Sequence, residues 1–301
     1  MWHCLYFALP GGMKMDKYLL MTDSSCDLTD QMLEELQVPV IQLKVSLDGG
    51  EYVDDNSFDK KDLFAKLRSG VDVKTSAITL PDYCDFFEKY LADGYDIVFS
   101  SFSSGLSSTC HTAGLAAEQM REKYPDRKIY VVDSLCASLG HGLLIYLAAQ
   151  KRREGLTVDQ LYEYLLDMRM HICHWFTVDD LFYLKRGGRI SAASAVVGSM
   201  LGIKPVLHMD NAGKLIPITK ARGRKASLAE LCNRMKDNAI DPEEQTLFIC
   251  QGDCIEDAEY LAGLVKQNFG VKKVIIGYVG SVIGSHSGPG TVSLFFVGKE
   301  R

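Results

Sequence analysis

The sequence predicts an α/β protein of two domains, a parallel sheet layered between helices (an α/β/α domain) followed by a smaller α/β domain around a mixed sheet. Three observations carry that reading. Strand-like and helix-like segments alternate from Lys17 to about residue 172, the rhythm of a parallel sheet covered on both faces. The rhythm then changes to strand-rich segments, with "DNAG" between two apolar runs as a hairpin signal. Finally, 301 residues at 47% hydrophobic and 24% charged suffice for full cores without any low-complexity linker. The expected division is 17–172 and 173–301, tightly associated.

The segments follow in order. "KYLLMTDSS" reads as a strand ending in a turn, "LTDQMLEEL" as a capped helix, "VPVIQLKVSL" as one strand and "DKKDLFAKLRSG" as a helix closed by Gly70. Helix "LPDYCDFFEKYLADG", with Thr79 placed to cap it, precedes strand "YDIVFSS". Helix "LSSTCHTAGLAAEQMREKY", strand "KIYVVDS" and helix "GHGLLIYLAAQKRREG" complete the first unit. In the second, "HWFTVDDLFYL", "IKPVLHMDNAGKLIPITKA", "QTLFICQG", "KKVIIGYVG" and "TVSLFFVG" read as strands, and "LAELCNRMKDN" and "DAEYLAGLVKQNFG" as helices. "GSVIGSHSGPG" reads as a glycine-rich turn or strand-entry loop around His286.

Composition removes several function classes. A net charge of -6, with no long run of either sign, gives no footprint for nucleic acid. Nine cysteines, odd in number and scattered, read as reduced thiols, so a cytoplasmic protein is expected. "HICH" (His171–His174) lacks a fourth ligand cluster, and no metal or cofactor is expected. The apolar start "MWHCLYFALPGGMK" is too short to span a bilayer and lacks a signal-peptide pattern; it reads as an extension before Lys17. No later segment is long enough to cross a membrane. There is neither a phosphate-binding Gly-x-x-x-x-Gly-Lys-Ser/Thr loop, nor Gly-x-Gly-x-x-Gly after the first strand, nor a nucleophile elbow.

Ligands of open parallel sheets sit beyond the carboxyl ends of the strands, where this sequence places Asp23, Ser24, Ser103, Ser104, Asp133 and Ser134, joined by Thr75 and Ser76 in "KTSAITLPD". Hydroxyls and free N–H groups at helix starts donate toward negative charge, so a carboxylate fits such a set. A serine hydrolase using Ser103 as nucleophile, His286 as base and Asp133 or Asp23 as orienting acid has the right residue types but no elbow.

"TDSSCDL", "TSAIT", "SSGLSST", "VVDSLCASLGHGLL", "LKRGGRIS", "GIKPVL", "RGRK" and "SHSGPG", in this order from about Lys17 to Gly298, resemble the DegV family, the fatty acid-binding proteins of bacterial fatty acid kinase. The resemblance implies one long-chain fatty acid between the two domains, its carboxylate held by Thr75, by Ser103 or Ser104, and by His286. It further implies a carrier without catalysis of its own, presenting the acid to a separate kinase that makes the acyl-phosphate. Arg189, Arg222 and Arg224 are the arginines expected to dock that partner, through bidentate pairing with carboxylates. "AASAVVGSMLGIKPVL" is expected to contribute to the tunnel wall. The sequence departs from the family where Ala77-Ile78 replace the usual Gln-Pro and where Ser108 replaces a glycine.

Overall fold

The computed structural model describes residues 17–55, 59–191 and 202–301. Strand β1 (Tyr18–Asp23) runs into a 3₁₀ turn, helix α1 (Asp30–Leu36) and strand β2 (Val40–Ile41). After an excursion described below come α3 (Leu80–Leu91), β6 (Asp96–Ser101), α4 (Thr109–Lys123), β7 (Ile129–Asp133), α5 (Ser138–Arg153) and α6 (Val158–Met168). The sheet order is β2-β1-β6-β7, all parallel. The pairs α3/α4 and α5/α6 cover its two faces. Helix α6, which sequence patterning passed over, opens on a capping box between Thr157 and Gln160 and buries Leu161 and Leu165.

The excursion is a second small sheet. "VPVIQLKVSL" is not one strand: it breaks after β2 and restarts as β3 (Lys44–Leu47), which pairs antiparallel with β4 (Gly50–Val53) and β5 (Val73–Ser76). Between β3 and β4, Asp48 (φ 52°) and Gly49 (φ 78°) form the left-handed pair that a tight hairpin needs, a signal present in "DGG". Helix α2 (Lys60–Arg68) links β4 to β5, and β5 carries Thr75.

The mixed sheet contains β8 (Ile172–Thr177), β9 (Ile203–Met209), β10 (Leu215–Arg222), β11 (Thr246–Gln251), β12 (Lys273–Tyr278) and β13 (Val292–Val297), ordered β10-β9-β8-β13-β11-β12. Only β11 and β12 are parallel, and "DNAG" is the β9–β10 hairpin, Asp210 to Gly213. Helices α8 (Arg224–Asn233) and α9 (Ile255–Phe269) lie against this sheet. "HWFTVDDLFYL" corresponds to the end of β8 followed by a short helix α7 (Phe182–Arg186), because Asp180 accepts from the Phe182 N–H and starts a turn.

Helix α5 joins the two sheets. It contacts β1 on one side and β8, β11 and β13 on the other, and its residues from Ser138 to Ile145 are all buried, as expected of a helix that is apolar or small-sided all round. A Cβ at Gly140 would fall 2.2 Å from His174 Nε2, and one at Gly142 2.6 Å from the Cys26 carbonyl, so glycine at these places sets how closely the sheets approach. "GSVIGSHSGPG" departs most from expectation. Gly284 and Gly288 donate to the carbonyls four residues back, so Ser281–Ser287 is a short helix, α10, with His286 in its last turn.

Candidate functional site

A cavity of about 270 Å³ lies between α5, α10 and the mixed sheet, near the lower end of the roughly 300–1,000 Å³ of small-molecule sites. Its lining falls into two zones by exposure. Thr75, Ser76, Ala77, Ser107, Ser108, Arg189 and His286 retain contact with solvent and form a mouth. Phe102, Phe176, Leu184, Met209, Val282 and Phe295, among others, are buried and make the body largely apolar.

At the mouth, Thr75 Oγ1 and His286 Nε2 share a hydrogen bond of 2.9 Å, joining residues 211 positions apart. Sheet pairing of β5 with β3 (Thr75 opposite Val45) fixes the threonine. Asp54 fixes the helix bearing the histidine, accepting from the Ser281 N–H at 2.9 Å. Burial first, and then the Arg189 and Arg186 charges, push His286 down to about 4, so the ring is neutral near pH 7. A neutral ring that donates through Nε2 to Thr75 leaves the threonine hydroxyl proton free for an anion. Arg189 donates through Nε to the Leu106 carbonyl at 3.1 Å and also to Gly187, which holds its guanidinium beside the histidine. Ser107 shares a 2.7 Å hydrogen bond with Thr109 at the start of α4. Two hydroxyls, a neutral imidazole and a cation converge here, a donor set suited to a carboxylate.

Not every residue singled out in the sequence meets at this mouth. Ser103 is fully buried and donates to the Gly213 carbonyl at 2.8 Å, tying the β6–α4 loop to the β9–β10 hairpin, and it is absent from the cavity wall. Ser104 is exposed and its N–H donates to Asp133. In their place the wall has Ser107 and Ser108, the second pair of serines in "SSGLSST". Arg189 belongs to the mouth itself. Arg224 is half-buried and donates to Asp257 at 2.8 Å and to the Gly290 carbonyl at 2.7 Å, which makes it an internal brace. Arg222 is exposed at the far end of β10, seven residues from the cavity-lining Leu215, or about 23 Å along a strand. In "AASAVVGSMLGIKPVL", residues 192–201 lie outside the described residues, and Ile203–Leu207 belong to β9.

The hydrolase arrangement is not assembled. Ser103 makes no contact with His286, Asp23 accepts from the Phe102 and Ser25 N–H groups, and Asp133 from those of Ser104 and Leu135. In "HICH", His174 bonds the Ile172 carbonyl and the Ala137 N–H, and His171 bonds the Gly298 carbonyl. No group of three or more metal-type side chains occurs among the described residues, nor does a helix long and apolar enough to cross a membrane.

Fold and cavity together define a class: an α/β protein of a parallel sheet, a mixed sheet and a small antiparallel sheet, with a largely apolar cavity that opens through a polar mouth. The family model "Uncharacterised protein, DegV family COG1307" matches residues 17–299, and the chain belongs to the DegV family. A DegV domain-containing protein of Clostridium perfringens is 42% identical over 95% of this chain and 99% of its own length. Among solved structures, the DegV family protein described under "Fatty Acid Binding" from Thermus thermophilus is 28% identical, with a TM-score of 0.84 over 94% of this chain and 99% of its own. A DegV lipid binding protein from Thermotoga maritima is also 28% identical, with a TM-score of 0.82 over 95% and 99%.

Proposed function

We propose that this protein binds one long-chain fatty acid between the units 17–172 and 173–301 and presents its carboxylate to a separate fatty acid kinase, with no catalysis of its own. The observation that carries the reading is the joining of an apolar cavity to a mouth where Thr75, His286, Ser107 and Arg189 converge. Burial of about fifteen methylenes at roughly 0.8 kcal/mol each provides on the order of 12 kcal/mol before ordering and association costs are subtracted. The tail thus supplies affinity, and the mouth supplies orientation. The names of the Thermus and Thermotoga proteins support the ligand class. The kinase partner rests on the resemblance carried by the eight motifs and on the position of the carboxylate site, at the solvent end of the cavity.

Native mass spectrometry of freshly purified protein, followed by denaturation and identification of the released acid, tests the ligand. One long-chain acid per chain is expected. Protein that stays empty when offered saturated and unsaturated long-chain acids refutes the reading. Acyl-phosphate formation with ATP and a fatty acid kinase, dependent on added carrier, tests presentation.

A further inference from the structure

Part of the buried cavity wall is not hydrocarbon. Ser138, Cys250 and Ser293 all line it and are all buried, 5%, 1% and 6% exposed. They are neighbours: Ser138 Oγ lies 3.3 Å from Cys250 Sγ, and Cys250 stands directly opposite Ser293 in the antiparallel β11–β13 pair. Behind them the Ser138 hydroxyl donates to the buried Asp27 carboxylate, 2.5 Å away. Ser287, also on the wall and 5% exposed, has a hydroxyl with no hydrogen-bond partner. The buried part of the cavity wall therefore carries three hydroxyls and a thiol besides the polar groups of the mouth. His174 is not part of it, because both its ring nitrogens are engaged by backbone groups.

A plain alkyl tail gains nothing from such a wall and leaves the unpartnered hydroxyl dry, a state that costs free energy. A tail with an oxygen part-way along it would meet donors and acceptors instead, because a serine hydroxyl both gives and receives. We infer that this cavity selects long-chain acids bearing a hydroxyl group along the chain, read by Ser293, Ser138, Cys250 and Ser287. The inference rests on the fatty-acid reading above and deepens it by naming the substrate class.

The test is competitive native mass spectrometry with equal amounts of octadecanoic acid and an octadecanoic acid hydroxylated near mid-chain. Wild-type protein is expected to favour the hydroxylated acid by about fivefold, the worth of roughly one neutral hydrogen bond. Ser293→Ala and Ser287→Ala should bring the ratio toward parity, whereas Ser293→Thr, which keeps the hydroxyl, should preserve the preference. Wild-type protein that favours the plain acid, or alanine variants with an unchanged ratio, overturns the inference while leaving the fatty-acid reading standing. Protein that takes up neither acid overturns both.

Discussion

Gly187, in the "LKRGGRIS" stretch, offers a sharp test of the mouth because it touches the site without belonging to it. A Cβ built there falls 2.1 Å from His286 Nδ1, where about 3.5 Å is the normal approach. The ring would have to shift or turn by more than 1 Å, and a 2.9 Å hydrogen bond between Nε2 and Thr75 does not keep its geometry through a displacement of that size. The backbone at Gly187 is right-handed helical (φ -72°), so alanine itself is unstrained, and the obstructing atom lies on a movable side chain. Gly187→Ala should therefore fold normally yet bind fatty acid more weakly, by on the order of 1–3 kcal/mol, or roughly fivefold to 150-fold. Isothermal titration with a long-chain acid, alongside thermal unfolding of the unliganded protein, measures both effects. In a double-mutant cycle, Gly187→Ala should add almost nothing to His286→Ala, since both remove the same contact. Unchanged affinity in Gly187→Ala, or additive losses in the double variant, would refute the assignment of His286 to the carboxylate.

Two further outcomes are expected. Ser107→Ala should lower fatty acid affinity by about 1–3 kcal/mol and also cost stability through its lost bonds to the buried Thr109, whereas Ser103→Ala should loosen the hairpin contact to Gly213 and lower stability with affinity nearly unchanged; titrations in which Ser103→Ala weakens binding and Ser107→Ala does not would restore Ser103 to the site. On acidification, stability should fall between about pH 6.5 and 4. Burial pushes His208 and His286 from 6.5 down to about 4 and also lowers His141 and His174. The unfolded chain then binds more protons than the native one, which for His208 alone is worth on the order of 3 kcal/mol. Asp27 acts in the opposite sense: burial and then Asp54 raise it from 3.8 to about 7, so its contribution is present below pH 3.8 and lost as pH rises through 7. Melting temperatures from pH 4 to 8 check both signs, and a His208→Gln variant whose acid limb is as steep as wild type would discount the histidine share.

What the sequence made legible was periodic, and what it concealed was contact. The parallel sheet could be read because β1 and β6 are continuous apolar runs, as strands covered on both faces must be. The β3–β4–β5 sheet was missed because its strands have four residues each, too few for alternation to show, although the Asp48-Gly49 turn was there to be read. Helix α10 was hidden by Gly284 inside it, which a propensity argument counts against helix while tertiary packing favours it: a Cβ at Gly284 would fall 2.9 Å from Phe64. Thr75 and His286 were found as hydroxyl and imidazole, and the structure joins them by one bond across 211 residues, a separation no local pattern encodes.

The serines of "SSGLSST" show most clearly why residue type alone does not place a site. Ser103, Ser104, Ser107 and Ser108 are chemically equivalent and within six positions of one another, yet one is fastened to a hairpin carbonyl, one is exposed beside Asp133, and two face the cavity. What distinguishes them is the turn that follows β6. Ser103 accepts from the Gly105 N–H while its backbone carbonyl accepts from Leu106 and Ser107, folding the chain back so that the second pair emerges at the start of α4. The same hairpin carbonyl that holds Ser103 off the cavity wall anchors the loop that presents Ser107. On this reasoning the two serines act in series, the first holding the mouth in shape and the second facing the cavity.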